Sequence, residues 1–127
     1  MRLLFDTHVV LEIIHAGLLD RPSAYRRLRD EADQGWVSVT TLWEITIKTR
    51  LGKLDPRMPV GDLAAYLESV SFATLDITRH HAVAFVEPEP ATRDPFDRML
   101  LAQCKVEGLK LVTVDRALFA HPLALPV

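Results

Sequence analysis

Short apolar segments typical of β-strands alternate along the whole chain with longer segments of helical periodicity. Strands that are separated by helices pair in parallel, because the intervening helix returns the chain to the same end of the sheet. The buried strands of such a sheet need cover on both faces. The sequence therefore predicts one α/β domain over residues 1–127, with a short parallel sheet flanked by helices on both faces.

Proline and glycine set the predicted element boundaries, since proline opens helices and glycine ends them. Gly35, Gly52 and Gly108 each follow a predicted helix. The predicted helices cover residues 7–16, 23–34, 41–51, 60–70, 78–87, 95–107 and 115–120. The predicted strands cover residues 2–6, 36–39, 72–77 and 109–114, with a weak edge strand at 123–127.

Composition excludes several classes of protein. Hydrophobic residues make up 49% of the chain and charged residues 25%, as in ordinary globular domains. No apolar run reaches the roughly 20 residues that span a bilayer, so we expect no membrane segment and a cytoplasmic location. The single Cys104 has no partner for an intrachain disulfide and is expected in the core. The net charge of −2 does not by itself indicate a nucleic-acid partner.

Four acidic residues lie where a predicted strand ends or a predicted helix begins: Asp6, Glu44, Asp97 and Asp115. In parallel sheets these positions share one edge, which is where ligands bind. The four carboxylates would then converge and repel one another, and a divalent cation with oxygen ligands offsets that repulsion. Metal-dependent hydrolysis is therefore the first hypothesis.

Each acid taken alone also matches a simple structural role. Asp6 and Asp115 are placed to cap the helices that follow them. Asp94 can cap a helix in which Pro95 is the first residue and Asp97 the third. Four caps need not all be acidic, however, because serine, threonine and asparagine cap without charge.

Glu44 is the acid that is hardest to explain as a structural residue. It lies in the apolar segment LWEITI, where a lone carboxylate is costly to bury. The competing explanation is an ordinary salt bridge with Lys48, one helical turn further on.

Three segments, LLFDTHVVLE, TTLWEITIKTRLGKL and RDPFDRMLLAQCKVEGLKLVTVD, resemble in this order and spacing the PIN-domain ribonucleases. Within that family the chain is most similar to the VapC toxins of bacterial type II toxin–antitoxin systems, and the resemblance covers essentially the whole chain. It implies a Mg²⁺- or Mn²⁺-dependent endoribonuclease. The metal-binding, catalytic acids of that family fall here on Asp6, Glu44, Asp97 and Asp115.

The resemblance also implies roles for further residues. Asp94 is either an auxiliary acid or the cap that orients Asp97. Thr113 either donates its hydroxyl to the site or is a plain β-branched strand residue. Thr92 stands where family members often have histidine, which puts a secondary contact in doubt but none of the acids. The candidates for steering the phosphate backbone are Lys48, Arg93 and Arg98.

A VapC-like chain would cleave RNA by in-line attack of water on a phosphodiester. The resemblance further implies a VapB-type antitoxin that covers the site, and a homodimer within a larger toxin–antitoxin complex. The apolar helices around residues 40–70 are either the antitoxin groove or plain core packing. Trp43 and Phe96 are expected to pack in the core around the site rather than to stack on bases.

Two other functions stay open at this point. A PIN-fold nuclease can act in RNA maturation or repair rather than as a toxin. A receiver-like signalling domain also has an acidic Mg²⁺ pocket, but it needs paired acids after the first strand and a late lysine. This chain has only Asp6 after its first strand and places Glu44 on a helix.

Overall fold

A computed structural model of the protein describes residues 1–16 and 34–127. Its five-stranded sheet has the order β3-β2-β1-β4-β5, and every neighbouring pair of strands is parallel. The strands are β1 Arg2–Phe5, β2 Gln34–Ser38, β3 Phe72–Leu75, β4 Lys110–Thr113 and β5 Ala124–Pro126. The prediction of an α/β fold with a short parallel sheet is confirmed.

Five α-helices are present in the described residues: α1 Thr7–Ala16, α2 Val39–Arg50, α3 Leu63–Ser69, α4 Arg79–Ala82 and α5 Pro95–Glu107. Two 3₁₀ turns accompany them, Val60–Asp62 ahead of α3 and Arg116–Leu118 after β4. The bounds of α5 agree with the prediction because its signals are local. Asp94 caps it, Pro95 opens it, and Gly108 ends it at a φ of 69°.

The predicted helix at 78–87 is wrong over most of its length, since α4 ends at Ala82. Val83 and Phe85 remain exposed whereas Val86 is buried, so the apolar residues after Ala82 do not form one buried helical face. The last predicted helix, 115–120, is only the 3₁₀ turn Arg116–Leu118. The predicted strand at 72–77 likewise shortens to β3.

The role predicted for Gly35 is also wrong. Gly35 lies inside β2, paired with Leu3 of β1, and does not end a helix. A Cβ atom on Gly35 would lie 3.2 Å from the ring of Phe72, so a larger residue there would require that ring to move by a few tenths of an ångström. The rest of the predicted helix at 23–34 lies outside the described residues.

The sheet buries apolar side chains on both faces, as predicted. Alternate residues of β1 point to opposite sides: Leu3 and Phe5 join one cluster and Leu4 the other. The first cluster takes side chains from α1, α2 and α3, and the second takes them from α5, including the buried Cys104. None of the helices in the described part of the chain has the length and hydropathy of a bilayer-spanning segment.

Candidate functional site

Asp6 lies between β1 and α1, at the carboxyl edge of the sheet, and only 1% of its surface is exposed. Its Oδ1 accepts a 2.7 Å hydrogen bond from the Thr7 backbone N–H. Its Oδ2 accepts a 2.6 Å bond from the Thr113 hydroxyl at the end of β4. Burial raises the pKa of Asp6, the nearby Glu44 adds to the rise, and the two hydrogen bonds oppose it.

Glu44 lies on α2 with its carboxylate buried and facing the first helix. Its Oε1 accepts a 2.7 Å hydrogen bond from the Thr7 hydroxyl, which is itself 3.1 Å from the Thr41 hydroxyl. Its Oε2 is 2.5 Å from the Lys48 ammonium. The i,i+4 salt bridge considered from the sequence is therefore present, on the same carboxylate that faces Asp6.

Lys48 remains charged in this setting. Its hydrogen bond with Glu44 raises the pKa of its ammonium, burial opposes the rise, and the carboxylates of Asp94 and Asp97 add to it. The Lys48 side chain is 35% exposed, whereas that of its partner Glu44 is 5% exposed. Lys48 therefore supplies positive charge at the mouth of an acidic pocket.

Asp94 and Asp97 come from the first turn of α5. Asp94 is the helix cap, and its Oδ1 accepts a 2.8 Å hydrogen bond from the Phe96 backbone N–H. Asp97 Oδ2 accepts a 3.2 Å bond from the Thr92 hydroxyl, so Thr92 contacts one of the predicted acids. Burial, with Asp6, Asp94 and Asp115 nearby, raises the pKa of Asp97 to about 7.

Asp115 follows β4 and begins the turn Arg116–Leu118, with its Oδ1 accepting a 3.0 Å hydrogen bond from the Ala117 N–H. The Asp115 backbone N–H donates a 3.0 Å bond to the Thr113 hydroxyl oxygen. That one buried hydroxyl therefore binds two of the acidic residues. The Thr113 hydroxyl thus lies within the cluster of acids, and its role in a reaction there stays a prediction.

The structure brings all the predicted acids into one electrostatic field. Asp6, Asp94 and Asp115 each raise the pKa of Asp97, and Glu44 raises that of Asp6. Asp94 and Asp97, at the start of α5, raise the pKa of Lys48. These groups come from the ends of β1 and β4, from α2 and from α5, as the strand-end argument predicts. Sequence reasoning missed Thr7 as the hydroxyl that holds Glu44; its only signal was its position directly after Asp6.

Within residues 1–16 and 34–127, no three acidic, histidine or cysteine side chains are placed as a ready-made metal cage. Mg²⁺ does not require one, because it is commonly held by one or two carboxylates together with waters and substrate phosphate. The donors here are carboxylate oxygens, and burial, together with repulsion from the neighbouring acids, raises the pKa of Asp97. This donor set fits a hard divalent cation.

The two arginines among the basic candidates differ in their contacts. The Arg98 guanidinium contacts the loop before α5. It donates hydrogen bonds to the backbone carbonyls of Thr92 at 2.8 Å and Pro90 at 3.3 Å. It also forms an ion pair with Glu89 at 2.6 Å. Arg98 is therefore bound to the protein itself. Arg93 is exposed and directly precedes Asp94, the N-cap of α5.

The expectation that Trp43 packs in the core is wrong, since 58% of its surface is exposed. Successive residues of a helix are about 100° apart around its axis, and the buried stripe of α2 consists of Thr40, Thr41, Glu44 and Ile45. Trp43 lies beside that stripe. It meets the partly buried Phe96 edge-on, with ring centroids 5.6 Å apart and an interplanar angle of 73°.

The fold and the site define an α/β protein with an acidic pocket at the carboxyl edge of a parallel sheet. A model of the PIN domain matches residues 3–122, and the chain belongs to the PIN-domain family. PIN domains are nucleases, hydrolases that act on nucleic acid and generally use divalent metal ions. Membership of this family decides against the receiver-like alternative.

Several solved structures share the fold, and two of them contain toxin–antitoxin proteins. One is a toxin–antitoxin complex from Klebsiella pneumoniae, with a TM-score of 0.63 and 21% identity over 97% of this chain and 95% of that chain. The other is VapBC2 from Rickettsia felis bound to a DNA fragment from their promoter, with a TM-score of 0.63 and 12% identity over 100% and 98%. At these identities the similarity shows the fold alone. No curated protein matches the chain.

Proposed function

We propose that the protein is a Mg²⁺- or Mn²⁺-dependent endoribonuclease and the toxin of a VapBC-type toxin–antitoxin system. The observation that carries the nuclease proposal is the convergence of acids from four separate elements at one edge of a PIN domain. The acids proposed to hold the metal ion, directly or through water, are Asp6, Glu44, Asp97 and Asp115. The bound ion would neutralise charge on the scissile phosphate and activate the attacking water.

The chain's own residues hold this site in place before substrate arrives. Thr7 and Thr113 donate hydrogen bonds to the carboxylates of Glu44 and Asp6. Groups that are already oriented need no reorganisation during the reaction, which lowers the barrier. Because both threonines are buried, water does not compete for their hydrogen bonds.

Asp97 and Lys48 tune the charge of the pocket. Because the pKa of Asp97 is about 7, roughly half of the metal-free molecules carry a proton there at neutral pH. A cation displaces that proton, so metal affinity should rise with pH. The Lys48 ammonium pairs with Glu44 Oε2 and so offsets the charge of that carboxylate. It also places a positive charge where a substrate phosphate would enter.

The test is cleavage of total RNA and of single-stranded oligoribonucleotides with Mg²⁺, with Mn²⁺ and with EDTA. We expect Asp6→Asn and Asp97→Asn to abolish metal-dependent cleavage with the fold unchanged. Asp62→Asn is the matched control, because Asp62 is an exposed acid whose side chain makes no capping bond. Cleavage that persists in EDTA or in both variants would refute the assignment. A deoxyribonucleotide of the same sequence tests the preference for RNA.

The toxin role is supported by the two structural neighbours, which are toxin–antitoxin complexes and match nearly the whole chain. We propose a VapB-type antitoxin in a groove along α2 and α3, where Leu51 and Val60 are exposed, although Leu63 and Leu67 belong to the core. We also propose a homodimer and a cytoplasmic location.

Expression should arrest growth for the wild type but not for Asp6→Asn, and co-expression of a small upstream gene product should restore growth. A nuclease of RNA maturation would leave growth unimpaired.

Light scattering of the toxin alone and of the purified pair would test the oligomeric state. A homodimer predicts twice the mass of the 14.3 kDa chain for the toxin alone. A monomer under all conditions would remove the homodimer from the proposal and leave the nuclease assignment intact.

A further inference from the structure

Trp43 is exposed to solvent, yet its ring is held in place. It is 58% exposed, and its indole meets the Phe96 ring edge-on at 5.6 Å. Trp43 directly precedes Glu44 on α2, and Phe96 directly precedes Asp97 on α5. The aromatic pair therefore joins, at the rim of the acidic pocket, the two helices that supply two of its carboxylates.

Core packing does not account for this arrangement. Most of the indole surface is in water, so the contact with Phe96 orients the ring more than it buries it. An aromatic side chain that is already oriented loses little conformational entropy when a ligand binds. Proteins that bind unpaired nucleotides use such rings as surfaces on which bases stack.

The charges around the ring favour a nucleic-acid strand as its ligand. Lys48 pairs with Glu44 on α2 and also interacts electrostatically with Asp94 and Asp97, which lie on either side of Phe96 in the sequence. Arg93, three residues before Phe96, is exposed. Each of the two elements that hold the aromatic pair therefore also carries a basic residue, although the chain as a whole is acidic. Single-strand binding sites combine such basic residues, which contact phosphates, with an aromatic ring on which a base stacks.

We propose that Trp43 is the stacking surface for an unpaired base next to the scissile phosphate, which makes it a substrate-binding residue of the nuclease. The inference rests on the proposed function, because the phosphate concerned is the one held at the acids. Stacking on α2 would set the register of the strand, so that one phosphate lies against Glu44 and Asp97. It would act mainly on substrate affinity and KM.

Fluorescence tests stacking without cleavage. The chain has two tryptophans, so Trp36→Phe leaves Trp43 as the only one. This variant is titrated in Ca²⁺ with a single-stranded oligoribonucleotide and with an abasic oligonucleotide of the same length. Anisotropy of end-labelled strands reports binding of each. We expect the base-containing strand to quench the fluorescence and the abasic strand to bind more weakly and to leave it unchanged.

Substitutions at Trp43 test the same proposal in the otherwise unaltered protein. Trp43→Ala should weaken single-strand binding about 5- to 150-fold, the range found for loss of one stacked base. KM should rise to match while kcat stays within about twofold, because uniform binding is lost. Trp43→Phe should recover most of the affinity. Trp43→Leu keeps an apolar contact with Phe96 but has no ring, so it should resemble the alanine variant.

The outcomes separate this proposal from the nuclease assignment. If the wild type cleaves RNA and the Trp43→Ala and Trp43→Leu variants show unchanged affinity and KM, the stacking role is wrong. Contact with a protein partner would then be the remaining explanation for the exposure of Trp43. If leucine restores affinity as well as phenylalanine does, the role is structural and the proposal also fails. If the wild type cleaves nothing but the base-dependent quenching occurs, Trp43 binds bases and only the nuclease assignment falls.

Discussion

The Thr113 hydroxyl donates a 2.6 Å hydrogen bond to Asp6 Oδ2, joining two buried residues that are 107 positions apart. The same oxygen accepts the Asp115 backbone N–H at 3.0 Å. One side chain at the end of β4 therefore aligns an acid from the start of the chain with an acid from its last part. The alignment depends on the pairing of β1 with β4.

Thr113→Val tests that alignment, because valine has nearly the same shape and no hydroxyl. It leaves a buried carboxylate oxygen without its donor, so we expect a loss of about 1–3 kcal/mol in the free energy of unfolding. The pKa of Asp6 should rise further, since one of the bonds that lowers it is gone. Metal-dependent cleavage should fall about tenfold or more. Chemical unfolding and rates measured across Mg²⁺ concentrations report the two effects.

Thr113→Ser is the matched control because it keeps the hydroxyl and removes one methyl group. It should retain most of the activity at some cost in stability. Equal loss of activity in the serine and valine variants would show that the methyl group, and not the hydrogen bond, matters.

The raised pKa of Asp97 makes stability depend on pH. The pKa of the folded Asp97 carboxyl is about 7 whereas its ordinary value is 3.8, so between these pH values the folded state binds more protons than the unfolded state. Stability therefore falls as pH rises through this window and stays lower above it. Asp97→Asn should stabilise the metal-free protein at pH 8 by about 1–3 kcal/mol, reduced from the full linkage value by solvent screening, and should give no gain at pH 3.5.

Thermal unfolding in EDTA at the two pH values measures this difference. Asp62→Asn serves again as the control and should show no such dependence. A gain of equal size at both pH values would mean that Asp97 destabilises the fold by something other than its charge.

The pair formed by Glu44 and Lys48 should show a measurable coupling energy. The carboxylate side chain is only 5% exposed and the lysine 35%, so the pair is partly shielded from solvent. A double-mutant cycle with Glu44→Gln and Lys48→Met should give about 1–2 kcal/mol, more than the usual surface pair. Lys48→Met alone should cost more than Glu44→Gln alone, because it leaves a buried carboxylate unpaired. Lys53→Met, at an exposed lysine, is the control.

Arg93 and Arg98 form a matched pair for separating substrate binding from structure. Arg98→Met removes two carbonyl contacts and an ion pair, so we expect it to lose about 1–2 kcal/mol of stability. Arg93→Met should leave stability within about 0.5 kcal/mol. It should weaken RNA binding and lower the slope of log affinity against log salt by about 0.7 for one lost phosphate contact. An unchanged salt slope would remove Arg93 from the binding surface.

The parts of the fold that the sequence predicts are those with local signals. The bounds of α5 follow from Asp94, Pro95 and Gly108, which act within the segment itself. The segment after Ala82 has helical periodicity, but its apolar residues do not share one buried face, since Val86 is buried and Val83 and Phe85 are exposed, so tertiary contacts decide its structure. Gly35 resembles a helix stop in the sequence, and only the nearby Phe72 ring in the folded protein indicates why a small residue is favoured there.

The acids of the site are predictable because strand ends in a parallel sheet share one edge. Thr113 is a candidate hydroxyl donor only because the sequence resembles the PIN-domain family. Thr7 is not predictable, since its hydroxyl bonds Glu44, 37 residues away, and no spacing in the sequence indicates this contact. Trp43 escapes prediction because α2 buries a stripe that is mostly polar, Thr40, Thr41 and Glu44 with Ile45. Hydrophobicity alone then assigns the wrong face to the core.

The pairing of β1 with β4 also determines when the pocket can exist during synthesis. Asp6 emerges from the ribosome before its hydroxyl partner Thr113, which lies 107 residues further along the chain, and before Asp115. Contacts this distant in sequence form only after the intervening chain is present. A polypeptide that stops before β4 therefore carries Asp6, Glu44 and Asp97 without the strand that aligns Asp6 with Asp115, and the acidic pocket is complete only after synthesis has passed Asp115.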